Sequence, residues 1–498
     1  MPALNNSRFN SAASALGRDE LVELVDDTIK SGLAKIPAVV APPEDPYALS
    51  TLPVTVAVSL TGPPATSITN GVLRKPKLVA GSTTVVDLAN DECFQFTGTP
   101  SLTYGAASGG YAETPFHAGS QPAASVWWAT ARSWYDGQTL EVSVRAAVAS
   151  RILFKLRVDG KYVTATAAGA SGTVLTGGGE NAHVITANSA GAIAAGGKYL
   201  IKIDFGSKAL RHIEWEFDAS QSFAGYFTEP ASTLSRGNAP RTTLMVLGDS
   251  ISAGAATYYR PDSWIRRTAD LLGIDTVANG SVGGTGYINP GAQGGMDGRF
   301  KDRISDVVAI NPDVLVIMGG QNETSSANIP LLQAEVENVI DLVKNDLPKT
   351  LIYVVGMWFP GQASADGAVQ NTRVSLNDKI RAAAASRGVF FIDTIGNGKT
   401  SPAWAASTVY VNGQTVLHNT LPYTCVSAHT SAGTFDATKW QANTWINGTG
   451  KVGTTTAVGN SDTMIQADGV HPTAAGADLL ERKIAAEMLR LARAASLS

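Results

Sequence analysis

The chain has 498 residues, enough for two or three domains with cores of their own. Charged residues make up 16%, against the usual ~25%, and glycine, at 50 residues, exceeds its ordinary share of about 7%. A net charge of −4 with no basic run excludes a nucleic-acid partner, and no apolar stretch nears the ~20 residues of a membrane span.

Residues 1–40 read as a short amphipathic helix with its connections. Asp19 caps it, Glu20 and Glu23 lie in its first turn, and Leu21, Leu24, Val25 and Ile29 form one stripe. A helix this short is marginal alone, so it is expected to pack on a partner chain or the next domain. The first residues lack the charged-then-apolar pattern of a secretory signal. The linker Ala41-Pro42-Pro43-Glu44-Asp45-Pro46 is stiff and closes this segment, residues 1–46.

Residues 47–238 change to short strands. Pro53–Leu60, Leu140–Arg145 and Ile152–Val158 alternate, and Asp159-Gly160 turns the last of these into a return strand at Tyr162-Val163-Thr164. Tyr199–Phe205 and His212–Phe217 continue the series. Strand after strand without a helix predicts an all-β, jelly-roll-like sandwich.

Residues 239–498 alternate strand and helix. The strands are Thr243–Leu247, Asp275–Ala278, Val314–Met318, Leu351–Val355 and Val389–Ile392; the helices fall near 263–272, 297–310, 328–346, 368–387 and 473–495. That rhythm predicts an α/β domain, a parallel sheet with helices on both faces. Between 395 and 466 it stops, in a stretch rich in Gly, Thr and aromatics and too long for a plain loop, which reads as an inserted small β module. Cys93 and Cys425 are too few for a disulfide framework and too far apart to chelate, and are expected as buried free thiols.

The chemistry gathers in this last domain. Gly248-Asp249-Ser250-Ile251 ends the first parallel strand, placing Ser250 at the carboxyl edge where ligands bind in open α/β sheets. Asp468-Gly469-Val470-His471-Pro472 opens the final helix, with Pro472 suited to its first turn. A serine hydroxyl needs a neighbouring base, and the base needs a carboxylate to hold its tautomer and stabilise its cation. The spacing lets Asp468 turn back onto one ring nitrogen of His471 while the other faces the serine. The Gly-x-Ser-x-Gly elbow is absent. The other histidines, His117, His183, His212, His418 and His429, lack a carboxylate at useful spacing, so neither a metal nor a cofactor site is expected.

With these blocks the chain resembles the SGNH (GDSL-type) hydrolase family. Gly248-Asp249-Ser250-Ile251 matches its first block, Asn279-Gly280-Ser281-Val282-Gly283-Gly284 its second, Gly320-Gln321-Asn322-Glu323 its third, and Asp468 with His471 its last. The resemblance covers roughly residues 241–320, the following strands and 466–496. It implies a flavodoxin-like parallel sheet for this domain and a triad of Ser250, His471 and Asp468. The implied oxyanion donors are the amide of Ser250, the amide of Gly284 and the side chain of Asn322. Two departures stand out: Glu323 replaces an aspartate, and Gly283 replaces a common serine, which leaves Gly283 against Gly284 open.

The insertion resembles small aromatic repeats of phage tail proteins and chitin-type carbohydrate-binding modules. Its Trp440 and Trp445 are candidate sugar-stacking residues, although at least two of Tyr423, Phe435 and Trp440 better suit a small core of the module's own. The resemblance implies an esterase removing O-acyl groups, above all acetyl, from a bacterial surface polysaccharide. It further implies a phage tail or extracellular setting and a homotrimer on a phage particle. A non-catalytic glycan-binding adhesin on a hydrolase scaffold, and a lipase- or thioesterase-like enzyme, are the rival readings.

Overall fold

The structure is a computed structural model. It describes residues 49–59, 66–105, 111–113, 127–147, 149–169, 171–218, 220–240, 242–254, 263–291, 298–323, 326–358, 368–395, 401–418, 421–446, 450–454 and 460–497. The expected N-terminal helix, its linker and His117 lie outside them. The described residues fall into two compact units, 49–244 with 263–280, and 245–254 with 281–497.

The first unit is built on a 15-stranded sheet, largely antiparallel, with Thr55–Ser59 pairing parallel to Thr166–Ala167. Its spine is the pair Trp128–Ala146 and Lys198–Asp218, in register from Asp218↔Trp128 to Lys198↔Arg145. The segments Tyr199–Phe205 and His212–Phe217, expected as two strands, are thus one strand. Its register shifts between Asp204 and Ala209, where Gly206 takes a positive φ of 73°. The hairpin at Asp159-Gly160 forms, with Val158 opposite Lys161, and its return strand is Lys161–Tyr162 where Tyr162-Val163-Thr164 was expected. Alternate residues of these strands meet in an apolar core in which Phe154 stacks on Trp215 at 4.1 Å and Phe94 meets Phe223 edge-on at 5.4 Å. Burying each such ring contributes roughly 1.5–3 kcal/mol. His183 stacks on Phe154, and its Nε2 accepts the Ala165 N–H at 3.0 Å. Burial pushes its pKa down to about 4.

The helix Trp264–Leu271 packs in this same unit through charge. Asp270 accepts from Arg157 at 2.6 Å, from Arg266 at 2.5 Å and from the Tyr162 hydroxyl at 2.7 Å. Burial alone would raise the Asp270 carboxyl, but the two guanidiniums outweigh it and hold it well below the usual range.

The parallel sheet runs in the order Thr276–Asn279, Thr243–Gly248, Val314–Met318, Leu351–Val355, Phe390–Ile392. Counted along the chain this is 2-1-3-4-5, the flavodoxin-like order, whose switch point lies between the first and third strands. Val314–Met318 is buried throughout, as a strand covered on both faces must be, and its continuous apolar run follows from that. Helix Ile329–Asp346 buries Leu332, Val336, Val339, Ile340 and Val343, one stripe at helical spacing. The helix expected over 297–310 is a 3-10 turn, Phe300–Arg303, followed by Ile304–Ile310, and Asn311 ends it in a left-handed conformation.

Three strands, Thr415–His418, Leu421–Cys425 and Trp440–Ala442, form a small sheet inside the insertion, beside the pair Val409–Tyr410 and His429–Thr430. Its core is Tyr410, Val416, Cys425 and Trp440, packed by Trp404, Tyr423 and Phe435. Phe435 stacks on His418 at 3.9 Å and lies 5.5 Å from Trp440. Cys425 is buried and free; Cys93 is free but only half-buried, so the expectation of two buried thiols is corrected for Cys93. Among the described residues no helix is long and apolar enough to cross a membrane.

Candidate active site

The first parallel strand ends at Gly248, whose missing side chain lets the next turn close. A Cβ there would lie 2.6 Å from Ser252 Oγ and 2.9 Å from the Met318 carbonyl oxygen. Asp249 then folds the chain back, its Oδ1 accepting the Ile251 N–H at 3.0 Å, while its own carbonyl accepts from Ala253. Ser250 is left half-buried at the tip of that turn.

Ser250 Oγ lies 2.8 Å from His471 Nε2, and His471 Nδ1 lies 2.6 Å from Asp468 Oδ2. The second oxygen of Asp468 accepts the backbone N–H groups of Val470 and His471, at 2.9 and 3.1 Å. Partial burial pushes the Asp468 carboxyl up, but the His471 ring and those two amides more than offset it, so it sits below its ordinary value. The pair is open to solvent, with Asp468 45% and His471 25% exposed.

The turn carrying the pair is clamped from both sides. Gln466 N–H donates to the His471 carbonyl at 2.8 Å, and the Trp358 indole N–H donates to the Val470 carbonyl at 3.2 Å. Pro472 does not start the final helix as expected. It bridges to Ile465 instead, and the helix runs Ala474–Leu497 behind Thr473, whose hydroxyl accepts the Gly476 N–H at 3.1 Å.

A second loop, 282–291, borders the serine. Val282 N–H donates to the Gly248 carbonyl at 3.0 Å, and a Cβ on Gly283 would sit 3.6 Å from Ser250 Cβ. Gly284 follows with φ +77°, a conformation reserved for glycine, and has open space around it. Asn322 reaches the same loop. Its Nδ2 donates to the Thr285 carbonyl at 2.8 Å, and its own carbonyl accepts from Asn289 Nδ2 at 3.2 Å. One amide hydrogen of Asn322 is so fixed, leaving the other free to point elsewhere.

Beneath these loops lie buried acids. Burial pushes Asp249 up to about 7; the Ile251 amide and the Arg303 charge pull it down, while the Glu323 charge adds to the rise. Glu323 is likewise raised by burial, against amide hydrogen bonds from the 287–289 backbone. Arg303 donates to the Gly248 carbonyl at 3.2 Å and to Thr285 Oγ1 at 3.0 Å.

The structure therefore brings Ser250, His471 and Asp468 into one hydrogen-bonded chain, with Gly283 against the serine and Asn322 tied to the loop that follows. The stacking rings are placed elsewhere. Trp440 is 6% and Trp445 8% exposed, and Trp440 is part of the module's core, so the expected sugar-stacking role is corrected: neither ring offers a face. Sequence reasoning missed Trp358, Thr285, Asn289 and Arg303, whose roles are contacts with backbone distant along the chain. Among the described residues no group of three His, Cys, Asp or Glu could hold a metal ion.

A nucleophile, base and acid on the carboxyl edge of a flavodoxin-like sheet is the arrangement of a serine hydrolase. Residues 246–420 match the GDSL-like Lipase/Acylhydrolase family. The match spans Ser250, Gly284 and Asn322 and ends before Asp468. Curated proteins give no match. Among solved structures, the chain is similar to a family two carbohydrate esterase from Cellvibrio japonicus at 14% identity, over 56% of this chain and 85% of that one, with a TM-score of 0.32. It is similar to the salicylyl-acyltransferase SsfX3 of a tetracycline biosynthetic pathway at 15% identity, over 61% and 83%, with a TM-score of 0.38. A lipase/acylhydrolase from Enterococcus faecalis shares 16% identity over 50% and 96%, with a TM-score of 0.31.

Proposed function

We propose that the protein is a serine esterase that removes O-acyl groups, chiefly acetyl, from a bacterial surface polysaccharide. The observation that carries the reading is the continuous contact from Ser250 Oγ through His471 to Asp468. His471 Nε2 takes the serine proton as Oγ attacks the ester carbonyl. The oxyanion is held by the amides of Ser250 and Gly284 and the free amide hydrogen of Asn322. Collapse expels the sugar alkoxide, which leaves with the proton from His471. Water, deprotonated by the same ring, then releases the acid and restores the serine.

The choice of a sugar acetate over a fatty acyl ester is supported by the mouth of the site. Gly283 and Gly284 are exposed, Ser250 and Asn322 are half-buried, and Asp468 faces solvent. Among the described residues these bordering groups are small or polar, which suits a short acyl group on a hydrophilic polymer. A long acyl chain needs an apolar groove. Placement on a phage tail, as a trimer, belongs to the same proposal and rests on the resemblance and on the low-charge composition.

The test is hydrolysis of a small chromogenic acetate together with acetate release from purified capsule or O-antigen, for the wild type and Ser250→Ala. Loss of at least ~10³-fold in kcat is expected for the variant, with its melting temperature retained. A variant keeping a tenth of the rate removes Ser250 as nucleophile. A folded wild type that binds glycan and releases no acetate from either substrate favours the adhesin reading.

A further inference from the structure

The side chain after Asn322 is a glutamate where the resemblance has an aspartate, and its surroundings are fitted to the longer acid. Glu323 is fully buried. Its Oε1 accepts the backbone N–H groups of Ile288 and Asn289 at 3.2 and 3.4 Å. These two amides lie in the middle of the loop that starts at the serine's neighbour Gly283 and carries Gly284. Thr285, whose carbonyl fixes the Asn322 amide, and Asn289, whose side chain holds the Asn322 carbonyl, belong to it too. The loop is pinned at its start by Val282 N–H to the Gly248 carbonyl at 3.0 Å, and midway by Phe300 N–H to the Gly286 carbonyl at 3.0 Å. Beyond the second pin, at 288 and 289, the side chain of Glu323 joins the loop to the segment after strand Val314–Met318 that bears Asn322.

Gly286 makes room for that carboxylate. A Cβ on Gly286 would fall 1.8 Å from Glu323 Oε1, 2.6 Å from its Cδ and 2.8 Å from Oε2. A terminal carboxylate usually swings away from such a clash. This one is buried and held by two amides, so it moves only by releasing the loop.

We propose that Glu323, with Gly286 as its fitted partner, is a positioning residue of the oxyanion site: it sets the loop that places the Gly284 amide and the Asn322 side chain. The pair is a coupled unit, in which the extra methylene of the acid is matched by the missing methyl of the glycine. This rests on the reading of Ser250 as nucleophile, and the experiment separates the two.

The measurements are kcat and KM on a small acetate ester, labelling of Ser250 by a fluorophosphonate, melting temperature, and amide hydrogen exchange over residues 285–291. They are made for wild type, Glu323→Ala, Glu323→Gln, Gly286→Ala and the double variant Gly286→Ala with Glu323→Asp. Glu323→Ala is expected to lower kcat by about 10–10²-fold with KM within about threefold, as for lost transition-state positioning. Exchange at 288 and 289 should speed up. Glu323→Gln keeps an acceptor oxygen and is expected to restore kcat to within about threefold of wild type. Gly286→Ala should lose activity like Glu323→Ala, and the shorter acid of the double variant should recover part of it, a non-additive result. An unchanged kcat in Glu323→Ala beside an active wild type overturns the inference, as does strict additivity in the double variant. A wild type that neither hydrolyses the ester nor labels at Ser250 overturns the nucleophile. Unchanged exchange at 288 and 289 in Glu323→Ala would then overturn the positioning of the loop as well.

Discussion

At the residue scale, the site separates groups that do chemistry from groups that hold them. Asn322, proposed above as an oxyanion donor, is also held in place: one amide hydrogen is spent on the Thr285 carbonyl, which leaves the other for the substrate. Asn322→Ala is therefore expected to lower kcat by about 10²–10³-fold with little change in KM, measured by steady-state kinetics on a small acetate. A change confined to KM would make Asn322 a contact to the bound substrate. Asp249 has a different consequence. Its folded-state pKa of about 7 stands above the ordinary carboxylate value of 3.8, so between those values the folded protein holds a proton that the unfolded chain has released. The stability it contributes is full below about pH 4 and is lost as pH rises to about 7. Asp249→Asn keeps the acceptor for the Ile251 amide and cannot ionise. Its melting temperature should thus fall less than that of wild type across pH 4–7, as followed by thermal denaturation; equal slopes would remove Asp249 from the pH response. The triad was legible in the sequence because Asp-x-x-His is a local pattern and the serine ends an apolar run. The tie from Asn322 to Thr285 was not, because its partner lies 37 positions away and is a carbonyl, which every residue has.

At the scale of elements, Val314–Met318 and Leu351–Val355 match their expected bounds and the other parallel strands fall within a residue. Burial on both faces forces a continuous apolar run, and glycine or polar residues close it. The antiparallel spine was harder to read. Tyr199–Phe205 and His212–Phe217 were expected as separate strands, yet both belong to one long strand, with Gly206 at its register shift. Pro472 also misled, since a proline near a helix start reads as its first turn, whereas here it closes a bridge to Ile465. In the insertion, aromatic content suited sugar but a small core better, and packing puts Trp440, Tyr423 and Phe435 in that core. Trp440→Ala is expected to cost about 3–5 kcal/mol through the cavity it leaves. Faster proteolysis within 401–446 should reveal it. The small-ester rate should hold, because Trp445 N–H is anchored independently to the Thr394 carbonyl at 2.9 Å. A module as protease-resistant as wild type would mean that Trp440 is not its keystone.

At the scale of the whole molecule, the compact units do not follow a single cut near residue 239. Helix Trp264–Leu271 packs with the antiparallel unit, because Asp270 is enclosed by Arg157, Tyr162 and Arg266. Sequence rhythm assigned that helix by its neighbours along the chain; charge pairing assigned it by partners more than a hundred positions earlier. Asp270→Ala strips two buried guanidiniums of their shared carboxylate, and a loss of about 3–5 kcal/mol is expected in denaturant unfolding. A loss below ~1 kcal/mol would mean that water or other carboxylates replace it. The placement of Asp468 and His471 in one turn bears on how such a chain can change over time. Acid and base travel together as a cassette, aligned by backbone within four residues, so the triad has one long-range joint, from His471 to Ser250 across 221 positions. Loop-closure entropy grows only slowly with length. Sequence can therefore be let into the chain between Asn322 and Gln466 provided that single span still closes, and the small sheets between Val409 and Ala442 lie in that span with the acid still paired to its base.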